Sequence, residues 1–302
     1  MTDKVWFITG TSRGFGREWA IAALDRGDRV AATARNTDSL QDLREKYGEA
    51  VLQLRLDVTD RAAVTAAVQQ AQQQFGRLDV IVNNAGYGLF GMVEEVSEAE
   101  ARAQIDTNVF GALWVTQAAL PYLREQGSGH IIQVSSIGGI SAFRGVGLYH
   151  ASKWALEGFS QSLALEVAPF GIHVTLIEPG GFSTDWSGSS AVHTTSLPAY
   201  DGVRETAAAA ARLATLLPPG ARSSRSWMRP SHPCASSSGR PRSASPRPTT
   251  PAVSRPGKSG IRYPWRRRAQ AVLIKSRVIQ MRVTKRQFSS LLKHCSTTLR
   301  PR

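Results

Sequence analysis

Apolar residues in the first two-thirds of the chain come in short unbroken runs separated by longer amphipathic stretches. Val5–Thr9, Arg29–Thr33, Val80–Val82, Ile131–Ser135 and Ile172–Ile177 are strand-like and rich in β-branched residues, and Val51–Val58 alternates apolar with polar positions. Between them, Arg17–Arg26, Ser39–Tyr47, Arg61–Phe75, Glu98–Glu125 and Leu148–Ala168 carry apolar residues at helical spacing. Continuous apolar runs imply strands buried on both faces. Helices of about ten or more residues between them are long enough to cross over between parallel strands. The pattern predicts an α/β fold: a doubly wound parallel sheet of six strands with helices on both sides, three αβα layers in all.

The pattern fades after Tyr200. Thr206–Leu217 is Ala-rich and suits a helix, but Pro218–Pro264 is dominated by Pro, Ser and Arg. Such a stretch has too little apolar surface to offset the entropy of ordering it. Ala271–Val283 is apolar enough for one strand or helix, with no evident partner. The expected division is a domain over 1–205 followed by an irregular basic tail over 206–302.

Charge divides at the same place. Of the 302 residues, 1–205 hold all 23 acidic residues and 16 of the 37 basic ones, a formal charge of −7. Residues 206–302 hold the other 21 basic residues and no acid, so the overall +14 belongs to the tail. Both cysteines, Cys234 and Cys295, also lie there, and the domain has no Cys for a disulfide or metal site. No His or carboxylate cluster has metal-ligand spacing, so no metal is expected. Met1–Lys4 leads straight into a strand with no signal-peptide pattern, and no apolar run approaches the ~20 residues of a membrane helix. The expectation is a cytoplasmic protein without membrane contact.

Between the first strand and first helix lies Thr9-Gly10-Thr11-Ser12-Arg13-Gly14-Phe15-Gly16. Glycines at 10, 14 and 16 allow a tight turn and close backbone approach to a pyrophosphate, and the following helix offers unpaired N–H groups and a positive dipole end. A glycine turn in this strand–helix context is the fingerprint of a Rossmann-type dinucleotide site. An acid about 20 residues further on would bind a ribose 2′-hydroxyl. The chain instead has Ala34-Arg35-Asn36, and Arg35 with Arg13 favours the 2′-phosphate of NADP(H) over NAD(H). Asp57 and Val58, after the third strand, are placed to meet the adenine.

A second constellation carries the chemistry. Tyr149 and Lys153 are four residues apart on a predicted helix and share a face. A free phenol titrates near 10, and acid–base work near neutrality requires lowering that by about 3 units, or ~4 kcal/mol. An adjacent ammonium does so by favouring the phenolate. Ser136, at the end of a strand, can donate to a carbonyl oxygen where negative charge develops.

Taken together, the glycine turn, Asn83-Asn84-Ala85-Gly86, Asn108, Ser136, Tyr149-His150-Ala151-Ser152-Lys153 and Pro179-Gly180 followed by Thr184 resemble the short-chain dehydrogenase/reductase family over residues 4 to about 200. The resemblance implies that Tyr149 protonates a carbonyl oxygen and that Lys153 also holds the ribose hydroxyls. It implies that Asn108 anchors a proton-relaying water, and that Asn83, Ala85 and Gly86 pass near the cofactor. Pro179, Gly180 and Thr184 would touch the nicotinamide. Ser12, Arg13 and Phe15 would line the phosphate turn with the glycines. Ser135 is the alternative catalytic serine, but spacing favours Ser136. His130 and His150 are expected to be bystanders. Phe182–Asp201 is expected to form a loop or short helices over the substrate, a mobile lid with Trp186 on its apolar face, and Phe90, Phe143 and Leu148 to line the pocket. The implied function is NADP(H)-dependent hydride transfer between a ketone and a secondary alcohol, with a homodimer through helices 98–125 and 148–168.

In the family a further helix and seventh strand follow the sixth strand, and nothing after Pro218 resembles them. The abrupt loss of acids looks like a shift of reading frame near residues 206–225. The competing readings are a non-catalytic dinucleotide-binding protein, or a basic arm, with Arg266-Arg267-Arg268 at its centre, that binds nucleic acid through phosphate contacts.

Overall fold

The computed structural model describes residues 3–180, 188, 190–206 and 279–281. Six strands, β1 (Val5–Ile8), β2 (Arg29–Ala34), β3 (Val51–Arg55), β4 (Val80–Asn83), β6 (Gly129–Val134) and β7 (Ile172–Ile177), form one parallel sheet in the order β3-β2-β1-β4-β6-β7. The helices are α1 (Gly14–Asp25), α2 (Gln41–Tyr47), α3 (Arg61–Phe75), α4 (Glu98–Ile105), α5 (Gly111–Gln126) and α6 (Gly147–Val167). Strand alternation sends neighbouring side chains to opposite faces. Val5, Phe7, Ala31, Ile81 and Ile131 therefore join one core with α3, α5 and α6, while Trp6, Ile8, Val30, Val82 and Ile132 join a second with α1 and α2. Two cores, one on each face, are why β1 is buried at every position and carries no polar residue.

Local signals place the boundaries. The Asp60 side chain accepts from Ala63 N at 3.0 Å and starts α3, and Gly76, with φ of +75°, ends it. Such a cap contributes about 1 kcal/mol. Ser97 and Glu100 form a capping box at the start of α4.

Three features differ from the sequence reading. The expected single helix over 98–125 is α4 and α5 joined by a π-helical turn, Asp106–Phe110. The wider turn re-aims Asn108, whose side chain bonds backbone on another loop. The loop that follows β7 is tied down in its described part, because β8 (Val192–His193) pairs parallel with β5 (Leu89–Phe90). Finally, Ala271–Val283, read as one strand or helix without an evident partner, contains a three-residue strand that has one. Strand β9 (Ile279–Met281) pairs parallel with β7 and makes the sheet seven-stranded. These residues group with the first 200, so the main unit is not confined to 1–205. The rest of 206–302, including the stretches read as frame-shifted or as a basic arm, lies outside the described residues apart from Thr206, which is helical with 201–205. No helix among the described residues is long and apolar enough to cross a membrane.

Candidate active site

The order of strands reverses direction of travel between β1 and β4, and the loops at their carboxyl ends border the resulting crevice, where open α/β sheets bind ligands. The glycine turn is fastened there from two sides. Thr11 N and Oγ1 both donate to Thr33 O, at 2.9 and 3.0 Å, tying the turn to the end of β2. Asn84 Nδ2 donates to Thr9 O and Gly10 O at 2.9 and 3.0 Å, and Thr9 Oγ1 accepts from Asn84 N and Ala85 N at 2.9 Å. Gly16 has no room for a side chain: a Cβ would lie 2.4 Å from Gly10 O. Gly14, by contrast, has φ of +60° and faces open space. Arg13, the N-cap of α1, makes no side-chain cap, and the first turn of α1 carries no acid. A bare helix N-terminus behind an open glycine fits a pyrophosphate.

Arg13 and Arg35 are both exposed at the corner that the Thr11–Thr33 pairing closes. Asp57 is exposed nearby. Burial works against its ionisation, but hydrogen bonds from Thr59 and the charge of Arg35 outweigh it and hold its carboxyl below the usual range.

Two expected cofactor contacts point elsewhere. Asn83 Nδ2 donates to Thr116 Oγ1 on α5 at 3.0 Å, in the core, while Asn84 reaches the glycine turn. Consecutive residues leaving a strand face opposite sides, so this pair divides the two tasks. Val58 is buried against Gly111, whose Cβ would lie 2.6 Å from Val58 Cγ2. Pro179 O accepts from Ile137 N at 2.9 Å, Gly180 is exposed, and Thr184 lies outside the described residues.

The acid–base groups come together. Tyr149 and Lys153 sit on one face of α6, each about 5% exposed, with Lys153 Nζ 5.8 Å from the centroid of the phenol ring. Lys153 Nζ donates to Val134 O at 2.7 Å, which pins it to the end of β6. Half-buried Ser136 hydrogen-bonds Tyr149 and accepts from Gly138 N at 3.0 Å. Burial pushes the phenol up to about 12, and the Ser136 bond opposes that. Burial also drags the lysine down to about 8, with the Glu157 carboxylate pulling it back up. Glu157 itself is raised by burial and by Glu178. Ser135 Oγ faces Glu157 across Gly139 and favours the carboxylate, though neither reaches a well-formed hydrogen bond. Ser135 thus lies on the far side of the chain from Tyr149, and Ser136 is the serine at the phenol.

Asn108, in the π turn, is 2% exposed. Its Nδ2 donates to Tyr87 O and Ser152 Oγ at 3.0 Å, and its Oδ1 accepts from Tyr87 N at 3.1 Å. Ser152 Oγ in turn donates to Tyr149 O at 2.7 Å. Gly86 keeps this region open, because a Cβ there would meet Asn108 Oδ1 at 3.0 Å and Lys153 Nζ at 3.8 Å. Gln104, fully buried, accepts from Leu89 N and donates to Tyr87 O at 2.9 and 3.1 Å. Nothing in the residue pattern marks it, since a lone Gln on a helix reads as surface.

The described part of the loop after β7 is held against the segment 89–95. Phe90 stacks on His193 at 5.1 Å, Leu197 N donates to Glu95 at 2.8 Å, and the Tyr200 hydroxyl donates to Glu94 at 2.6 Å. Trp186 lies outside the described residues.

Comparison with known proteins gives one family. A sequence profile described as short chain dehydrogenase matches residues 4–193. Oxidoreductase BOA17 of Botryotinia fuckeliana is 50% identical over 188 residues, which cover 62% of this chain and 69% of that protein. A short-chain dehydrogenase from Streptomyces avermitilis superposes with a TM-score of 0.64 at 43% identity, covering 70% of this chain and 84% of that one. ElxO with NADP bound gives 0.59 at 32% identity, with 61% and 76% covered. A 3-ketoacyl-(acyl-carrier-protein) reductase from Brucella melitensis complexed with NADH gives 0.58 at 31%, with 60% and 77% covered.

Proposed function

The chain belongs to the short-chain dehydrogenase family, and from that premise we propose that it moves a hydride between a nicotinamide dinucleotide and the carbonyl carbon of a ketone or the carbinol carbon of a secondary alcohol. The observation that carries the reading is the grouping of Ser136, Tyr149 and Lys153 at the carboxyl ends of the strands, in the same crevice as the glycine turn.

The bound cofactor supplies or accepts the hydride. Everything else is done by the chain. In reduction, the Ser136 hydroxyl donates to the carbonyl oxygen and Tyr149 delivers its phenolic proton to that atom as charge develops. In oxidation the phenolate takes the proton back. Lys153 balances the phenolate's charge and would hold the cofactor's ribose hydroxyls, and Asn108 would anchor a water that relays protons to it. The glycine turn and the first turn of α1 would hold the pyrophosphate.

Arg13 and Arg35 favour NADP(H), because no acid stands at the end of β2 and a guanidinium binds a 2′-phosphate with paired hydrogen bonds. The NADP bound in ElxO agrees, while the NADH in the Brucella reductase marks the alternative. A homodimer through α5 and α6 suits the apolar side chains exposed along them: Phe110 at the start of α5, and Trp154 and Leu165 on α6. The test is fluorescence titration with NADPH and NADH followed by turnover on a panel of ketones and aldehydes. Tighter binding of NADPH with oxidation in the presence of a ketone supports the reading. Binding with no turnover on any carbonyl leaves a non-catalytic dinucleotide-binding protein instead.

A further inference from the structure

We propose that His150 is a positioning residue of this site: its neutral ring, protonated on Nδ1, braces the Ser136–Phe143 loop against α6 and so keeps the Ser136 hydroxyl in register with the Tyr149 phenol. The proposal rests on the hydride-transfer reading above and adds to it a residue expected from the sequence to be a bystander.

His150 is 5% exposed and follows Tyr149 on α6. Both its ring nitrogens are engaged by backbone of the same loop. Nδ1 lies 2.9 Å from Gly138 O, and Nε2 lies 2.7 Å from Phe143 N. A carbonyl oxygen only accepts and a backbone N–H only donates. The two contacts therefore assign the ring without ambiguity: Nδ1 carries the hydrogen and Nε2 carries the lone pair. An imidazolium, or the other tautomer, would set an N–H against the Phe143 N–H.

The brace acts on the catalytic serine through one residue. Gly138 packs so closely that a Cβ on it would lie 2.7 Å from His150 Nδ1 and 3.2 Å from Tyr149 Cε1. The same Gly138 donates its N–H to Ser136 Oγ at 3.0 Å. That bond occupies a lone pair of the serine and turns its hydroxyl hydrogen toward the Tyr149 phenol oxygen, beside which a substrate oxygen would sit. At the other end of the loop, the Phe143 ring tilts against the imidazole with centroids 5.3 Å apart. The ring therefore spans the loop from Gly138 to Phe143 as a strut. Ile137 N donates to Pro179 O and fastens the loop on the strand side, while on the helix side His150 joins the Ser136–Tyr149 bond in holding it to α6.

The test combines kinetics with the ring's own signal. His150→Phe keeps a flat, slightly larger ring and removes both contacts. His150→Asn restores a donor near the Nδ1 position. We expect His150→Phe to lower kcat at least tenfold with NADPH affinity within about twofold of wild type, and His150→Asn to recover a measurable part of kcat. In the wild type, 15N NMR of the imidazole should show a protonated Nδ1 and an unprotonated Nε2. A protonated Nε2 would overturn the proposal, and so would unchanged kcat in a folded His150→Phe variant. If wild type turns over no carbonyl, the hydride-transfer reading fails and takes this proposal with it. Active wild type with an equally active His150→Phe sinks only the role of His150.

Discussion

Replacing Lys153 by Met should move the phenol's titration by about two units. Burial holds Tyr149 at about 12 with only the Ser136 bond opposing it, far above any pH at which it could accept a proton from an alcohol. The ammonium lies 5.8 Å from the ring centroid. With that distance to the ring taken as the scale of the separation and an effective dielectric of about 20, a unit charge stabilises the phenolate by roughly 3 kcal/mol. At 1.36 kcal/mol per unit, that is about two pKa units. The remaining two to three units needed to reach neutrality fall to the positive charge of the oxidised cofactor. Lys153→Met is nearly isosteric, so the loss is chiefly electrostatic. The assay is kcat/KM for alcohol oxidation against pH, from 6 to 8 where the lysine of the wild type keeps its charge, with cofactor saturating. In this range the variant should be slower by about 100-fold, with a rate still climbing tenfold per pH unit where the wild type begins to level. An apparent pKa equal to that of the wild type, with a merely lower plateau, would refute the electrostatic reasoning.

The same groups leave a mark on stability. Above about 8 the native Lys153 is neutral, while the unfolded lysine keeps its proton to about 10.5. The unfolded chain then binds more protons, so Lys153 contributes stability that rises with pH across that window, by up to ~3 kcal/mol, and Lys153→Met should flatten the rise in urea melts. His130 behaves likewise at acid pH, because burial, with His173 and Lys4, pushes its ring down to about 4 from 6.5. As pH falls between those values the unfolded ring takes up a proton that the native ring refuses. Stability is therefore lost, by ~1–2 kcal/mol once the ring's partial exposure is allowed for, and a comparison of melts at pH 7 and 4.5 in wild type and His130→Gln checks it. Gly16→Ala would drive a methyl into Gly10 O and Asn84 Nδ2, at 2.4 and 2.5 Å, and should weaken NADPH binding at least tenfold in a fluorescence titration with a loss of ~1–3 kcal/mol in stability.

What could be foreseen from the chain follows from how local its causes are. Val5–Ile8 had to be a doubly buried strand because every side chain in it is apolar, and Arg61–Phe75 had to begin where Asp60 caps it. Tyr149 and Lys153 share a face by helical periodicity alone. Asn83 and Asn84 show the limit: they are identical and adjacent, and only the direction of β4 decides which faces Thr116 and which faces the glycine turn. The π turn at Asn108 has no sequence signature of its own, since its cause is a set of bonds to Tyr87, about 20 residues earlier. For β9, inside the apolar Ala271–Val283, it was the pairing that stayed hidden, because its partner β7 lies some hundred residues away. His150 looked idle because its two partners are backbone atoms, which leave no trace in side-chain spacing.

The central claim is that Tyr149 supplies the proton while hydride passes between nicotinamide and a carbonyl carbon. It is tested most directly with C4-deuterated NADPH and a ketone that wild type turns over. The account predicts deuterium on the carbinol carbon of the product alcohol in wild type, and in Tyr149→Phe a loss of label transfer by several orders of magnitude with NADPH still bound. Label transfer at the wild-type rate in Tyr149→Phe would contradict it.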